Sequence, residues 1–159
     1  MYTSVDYPSE KASLYHLLAS QLSSMIEGIP YPIGNFANAS ALLADALEDI
    51  NWVGFYFTQK DKLILGPFQG KIACVEIPFG SGVCGTAAVK NEIQLVPDVH
   101  KFPGHIACDS ASNSEIVLPL CKDGKVLGVL DIDSPTFGRF TEEDKLGLSS
   151  LIPILEQLL

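Results

Sequence analysis

The sequence is short of the features that mark several large classes of protein. Its 159 residues contain four cysteines and no Cys-x-x-Cys pair, which argues against a disulfide scaffold and a thioredoxin-type motif. The chain has ten basic and 19 acidic residues, and its net charge of -9 disfavours nucleic acid and anionic lipid as partners. No apolar run could cross a bilayer, and the N-terminus lacks the pattern of a secretory signal. We therefore expect a soluble cytoplasmic protein, bound to no membrane, whose cysteines rest as thiols.

Apolar residues make up 47% of the chain, enough for one domain with its own core. Their spacing predicts helices over 9–27, 34–48 and 142–159, the last kinked at Pro153. The segment 79–88 should be a glycine-rich loop that runs into a short helix. Strands are predicted at 52–57, 62–65, 72–77, 93–96, 116–121 and 126–133. The pattern indicates an α+β domain, with a mostly antiparallel sheet and the N- and C-terminal helices packed on one face.

The predicted strand 126–133 places two carboxylates side by side. Asp131 and Asp133 share a face with Leu127 and Val129, so this face should be covered near the acids. Glu115, at the start of the preceding strand, is placed to join them across the sheet. Covered neighbouring acids tend to share a proton, and such a cluster can protonate a leaving oxygen or pair with a ligand ammonium.

The four cysteines differ in their surroundings. Cys108 lies in the irregular stretch 97–113, where a thiol is accessible, although a loop cysteine without a role is an equal alternative. Cys84 lies at the predicted helix start, where backbone N–H groups stabilise a thiolate or an anionic ligand, unless it only fills a tight turn. Cys74 and Cys121 belong to apolar strand patterns, which favours a packing role for both.

His100 and His105 share the irregular stretch with Cys108, so a zinc site with the cysteines has to be considered. The irregular spacing favours histidines that bond to backbone, with activation of a nearby thiol as the second choice. We therefore predict no metal.

Five segments in one order resemble a known family. They are 51–56 (NWVGFY), 65–70 (LGPFQG), 80–85 (GSGVCG), 105–109 (HIACD) and 130–134 (LDIDS). Together they resemble the free methionine-(R)-sulfoxide reductases, which are GAF-domain enzymes, and the resemblance covers almost the whole chain. It implies a single GAF-like domain over 1–159.

The resemblance also implies roles for individual residues. Cys108 matches the catalytic cysteine, Cys84 the cysteine that closes a disulfide with it, and Cys74 a third cysteine for later thiol exchange. The implied contacts to the polar end of the substrate are Glu115, Asp131 and Asp133, and the apolar wall facing the sulfoxide methyl group is Trp52 and Tyr56. Thioredoxin is the implied reductant, a homodimer the implied assembly, and no cofactor is required.

Two other functions have to be considered, one non-catalytic and one enzymatic. A GAF domain can also be a non-catalytic module that binds a small ligand and regulates a partner. A peroxide-reducing thiol protein is the rival enzyme. Turnover of sulfoxide, compared with turnover of peroxide, distinguishes all three.

Overall fold

A computed structural model describes residues 5–106 and 109–159. In these ranges two helices precede the first strands and two follow the last, and a short 3-10 helix, Val99–Lys101, lies in the irregular stretch before Ser114. The elements, in chain order, are α1 (Lys11–Ile26), α2 (Pro32–Ala46), β1 (Trp52–Gln59), β2 (Lys62–Gly70), β3 (Glu76–Pro78), α3 (Gly82–Lys90), β4 (Gln94–Val96), β5 (Ser114–Lys122), β6 (Lys125–Ser134), α4 (Glu142–Ser149) and α5 (Ile152–Glu156).

The six strands form one sheet in the order β3-β2-β1-β6-β5-β4, and every neighbouring pair is antiparallel. The hairpin between β5 and β6 turns through Asp123 and Gly124, both at positive φ, as an Asp-Gly turn allows. The predicted antiparallel sheet is confirmed.

The two faces of the sheet carry different layers. On one face α1, α2, α4 and α5 pack around a core that includes Leu18, Phe55, Leu130 and Leu148. On the other face α3 covers a smaller cluster with Trp52 and Val129. The prediction that the terminal helices share one face is therefore confirmed. None of the helices in the described ranges combines the length and the apolar character needed to cross a membrane.

The C-terminal segment is not the single kinked helix that the sequence predicted. The helix stops at Ser149 and a second one begins at Ile152, with Pro153 in its first turn. Proline is tolerated there because the N–H groups of a first turn have no partner within the helix. The break therefore precedes Pro153.

The strand predicted over 72–77 is also wrong in most of its length, because only Glu76–Pro78 pairs with β2. Ile72 is 93% exposed and Val75 63% exposed. The segment that carries Cys74 is therefore irregular and not a strand, although Cys74 itself is half-buried and packs against the apolar cluster that contains Trp52.

Candidate active site

Three carboxylates meet on the face of the sheet that α3 covers. Glu115 on β5 lies directly opposite Asp133 on β6, and Asp133 lies opposite Trp52 on β1. Asp131, two residues before Asp133, points to the same side. Glu115 and Asp131 are each only 6% exposed, and Asp133 is half-buried. In the described ranges no lysine, arginine or histidine forms an ion pair with any of the three.

Burial without a counter-ion changes the protonation of this acid cluster. Burial raises the pKa of Asp131 to about 6, although hydrogen bonds from Cys84 and Glu115 oppose the shift. Burial, and then the charge of Asp131, raise the pKa of both Glu115 and Asp133 well above the usual range. The three acids therefore keep protons at pH values where an isolated carboxyl group is ionised.

Cys84 lies against this cluster from the first turn of α3. Its side chain is buried, and its Sγ is 4.0 Å from Glu115 Oε1. Burial, followed by the charges of Asp131 and Glu115, raises the pKa of the thiol well above its ordinary value. Burial, followed by the neighbouring acids, therefore opposes the stabilisation of a thiolate that was expected at this helix start.

Aromatic rings form the wall beside the acids. The ring of Trp52 stacks on Tyr56 and on Phe68, with centroid separations of 5.9 and 5.2 Å. Gly54 lies between them on β1, and a Cβ there would approach the Trp52 ring to 2.7 Å, so the stack requires glycine. The structure thus brings Trp52 and Tyr56 together with the three acids, and adds Phe68, which the sequence analysis did not single out.

The polar ends of the same rings hold the segment that carries Cys74. Trp52 Nε1 donates to the carbonyl of Lys71 at 3.1 Å, and the Tyr56 hydroxyl donates to the carbonyl of Cys74 at 3.0 Å. Cys74 is disulfide-bonded, which corrects the expectation that all four cysteines rest as thiols. Cys84 and Cys121 are free thiols, and Cys121 bonds to Asn91 away from the cavity.

Cys108 lies outside the described residues, but its neighbours border the site. The Asp109 carboxylate accepts bonds from Ala111 N at 2.9 Å and Asn51 Nδ2 at 3.1 Å, and Lys71 Nζ is 3.8 Å away. The bond from the Ala111 amide, helped by Asn51 and Lys71, lowers the pKa of Asp109. Asn51 and Lys71 are distant from Asp109 in sequence, so a local sequence pattern could not predict their contacts with it.

A cavity of about 40 Å³ lies between these groups. Residues from the sheet, α3 and the loops line it, among them Trp52, Tyr56, Ile72, Cys84, His105, Ile106, Asp109, Ser112, Glu115, Asp131 and Asp133. The acids, the aromatic wall and the residues on both sides of Cys108 thus line one cavity.

The two loop histidines do not form a metal site with the described residues. His100 Nε2 bonds to Asn113 Oδ1 at 2.9 Å, and the two rings are 6.5 Å apart. His105 lines the cavity, where burial and then the neighbouring His100 lower its pKa. Within the described ranges, the group whose atoms are close enough to share a metal ion contains neither histidine.

Comparison with known proteins identifies the family. Residues 37–158 match the model of the GAF domain. Free methionine-R-sulfoxide reductase of Escherichia coli (strain K12) is 55% identical over 149 residues, which cover 94% of this chain and 90% of that protein. The chain belongs to the free methionine-R-sulfoxide reductase family of GAF-domain proteins.

Other members of this reductase family agree along nearly the whole chain. Free methionine-R-sulfoxide reductase of Saccharomyces cerevisiae is 46% identical over 163 residues, which cover 96% of this chain and 91% of the yeast protein. The X-ray structure of the Neisseria meningitidis reductase in complex with its substrate matches with a TM-score of 0.94 and 44% identity, over 99% of this chain and 95% of that one. The resemblance drawn from the five segments is confirmed. The chain is an oxidoreductase, so the alternative of a non-catalytic sensor loses its support.

Proposed function

We propose that this chain reduces free methionine-(R)-sulfoxide to methionine. The observation that carries the proposal is a buried acid cluster without a basic partner in the described ranges, facing an aromatic wall. An ionised Asp131 offers an α-ammonium its counter-charge, and Trp52 and Tyr56 offer the S-methyl group an apolar surface. A sulfoxide inside a peptide has no free ammonium at that position, so the site favours the free amino acid.

The reaction needs a nucleophilic thiol and an acid. The Cys108 thiolate attacks the sulfoxide sulfur, and Glu115 or Asp133, each held protonated by burial, donates a proton to the oxygen. Oxygen passes to Cys108, which becomes a sulfenic acid, and methionine leaves. A second thiol then attacks the sulfenic sulfur, forming a disulfide and releasing water.

The state of the other cysteines supports Cys74 as that second thiol. Cys74 is disulfide-bonded, whereas Cys84 is a free thiol whose pKa is raised by burial and by Asp131 and Glu115. We therefore give Cys74 the role that the resemblance implied for Cys84. Cys84 remains reduced as a neighbour of the acid cluster.

Turnover then requires an external dithiol, and we propose thioredoxin, whose low reduction potential suits it to reduce such a disulfide. The cytoplasm supplies this partner in reduced form. A homodimer remains a proposal that rests on the family resemblance.

The activity is tested by NADPH consumption coupled through thioredoxin and its reductase. The substrates are free L-methionine-(R)-sulfoxide, its (S) epimer, a peptide-bound sulfoxide and hydrogen peroxide. We expect turnover of the free (R) epimer, abolished in Cys108→Ser and retained in Cys121→Ser. Turnover of peroxide alone, or of none of the four, would refute the proposed function.

The roles of Cys74 and Cys84 separate in a single turnover without reductant. Reduced Cys84→Ser should form one methionine per chain and lose two thiols to a disulfide. Cys74→Ser should also form one methionine but leave a sulfenic acid that a dimedone probe labels. The opposite pattern, with label accumulating only in Cys84→Ser, would restore Cys84 as the disulfide partner.

A further inference from the structure

Cys84, Glu115 and Asp131 form a compact set of metal-binding donors. One ligand atom from each residue can be chosen so that all three lie within 4.8 Å of one another, and all three side chains are buried. The distance from Cys84 Sγ to Glu115 Oε1 is 4.0 Å. The three residues come from α3, β5 and β6, so they approach the same point from different elements.

A second observation shows that this point lacks a positive partner. Asp131 is 6% exposed and lines the cavity, yet its Oδ1 is buried with no hydrogen-bond partner among the described residues. A buried carboxylate oxygen without a partner carries a desolvation cost that a bound cation would remove.

We propose that Cys84, Glu115 and Asp131 bind Zn²⁺, or another divalent ion that accepts both sulfur and oxygen ligands. Zinc binds thiolate sulfur at about 2.3 Å and carboxylate oxygen at about 2.0–2.2 Å, so modest side-chain shifts close the observed spacing around one ion. Binding displaces the thiol proton of Cys84 into solvent and forms a Zn–S bond. Three protein ligands leave a fourth position for water.

The ion and the amino-acid substrate would occupy the same place. Both bring positive charge to Asp131, and the cavity that Cys84, Glu115 and Asp131 line is small. Zinc should therefore inhibit in competition with methionine sulfoxide. This consequence rests on the proposed function, whereas the binding of the ion does not.

Zinc binding is measured by equilibrium dialysis on the oxidised protein, in which Cys74 is in its disulfide and a thiol titration verifies that two thiols remain. We expect one Zn²⁺ per chain. Cys84→Ala and Glu115→Gln should each weaken binding by roughly tenfold or more. Cys121→Ala is the matched control, since it removes the other free thiol, and should leave binding unchanged.

The outcomes separate this inference from the proposed function. Absence of stoichiometric zinc, or loss of binding in Cys121→Ala instead of Cys84→Ala, would overturn the site. Circular dichroism and melting temperature verify that each variant is folded, and Glu115→Gln tests the site even where Cys84→Ala does not fold. Zinc that binds as expected to a protein without sulfoxide turnover would refute the proposed function and leave the metal site standing.

Discussion

At the scale of single residues, the carboxylates that suit the site for its chemistry destabilise the fold. Asp131 is buried, and its Oδ1 lacks a partner among the described residues. Its pKa of about 6 lies above the unfolded value of about 3.9, so between these two values the folded state binds more protons than the unfolded state. By linkage, the free energy of unfolding falls as the pH rises through this window, and it does not recover above it.

Asp131→Asn should therefore stabilise the protein at pH 7.5. A shift of about two pKa units corresponds to about 3 kcal/mol, and the amide avoids this cost because it stays neutral. Chemical denaturation should show the gain at pH 7.5 and little of it below about pH 4, where wild-type Asp131 is protonated. Glu92→Gln, on the surface, is the control and should change little at either pH. A gain of equal size at both pH values would contradict the charge-burial explanation.

Individual site residues were predictable where strand alternation applies. Asp131 and Asp133 were correctly placed on one covered face, with Glu115 beside them, because alternation and a hairpin turn fix which side chains are neighbours. The protonation state of Cys84 was not predictable, because it depends on acids that are distant in sequence. The bond from Asn51 to Asp109 likewise joins residues 58 apart.

At the scale of elements, one glycine governs how α4 packs on α1. Gly147 lies against the ring of Tyr15, which is 2% exposed and donates a hydrogen bond to Asp144 at 2.8 Å. A Cβ at position 147 would collide with that ring. The absence of a side chain therefore sets the distance between the two helices.

Gly147→Ala should destabilise the protein by roughly 1–3 kcal/mol, although alanine is the better helix former, because overpacking forces the helices apart. Gly34→Ala in α2 is the matched control, since its Cβ would meet nothing within 4 Å. It should gain up to about 1 kcal/mol from helix propensity. Melting temperatures that rise in both variants would mean that the α1–α4 contact yields easily.

The element predictions failed where a side chain replaces a regular backbone partner. Sequence pattern indicated a strand over 72–77, but the carbonyls of Lys71 and Cys74 accept bonds from Trp52 and Tyr56 instead of from a neighbouring strand. An apolar run looks the same in either case. The helix break before Pro153 was missed for a different reason. The sequence shows where the proline is, but not whether it lies inside one helix or in the first turn of a second helix.

At the scale of the whole molecule, the sheet separates the larger hydrophobic core from the candidate active site. One face packs the terminal helices over the larger core, while the other carries the acids, the aromatic wall and α3. The chain carries a formal net charge of -9. A zwitterionic amino acid enters such a field without net repulsion, whereas an anion is repelled by it.

The whole molecule should therefore distinguish free from N-acetylated methionine sulfoxide. In Cys108→Ser, which we expect to prevent turnover, the free (R) compound at about 100 times its Kd should raise the free energy of unfolding by about 2.7 kcal/mol. The N-acetyl compound at the same concentration should give little stabilisation, because it lacks the ammonium that we propose pairs with Asp131 and it carries a net negative charge. Added salt screens long-range repulsion but does not replace that ammonium, so stabilisation by the N-acetyl compound should stay small at high ionic strength. Equal stabilisation by both compounds would mean that the acid cluster does not bind the amino group.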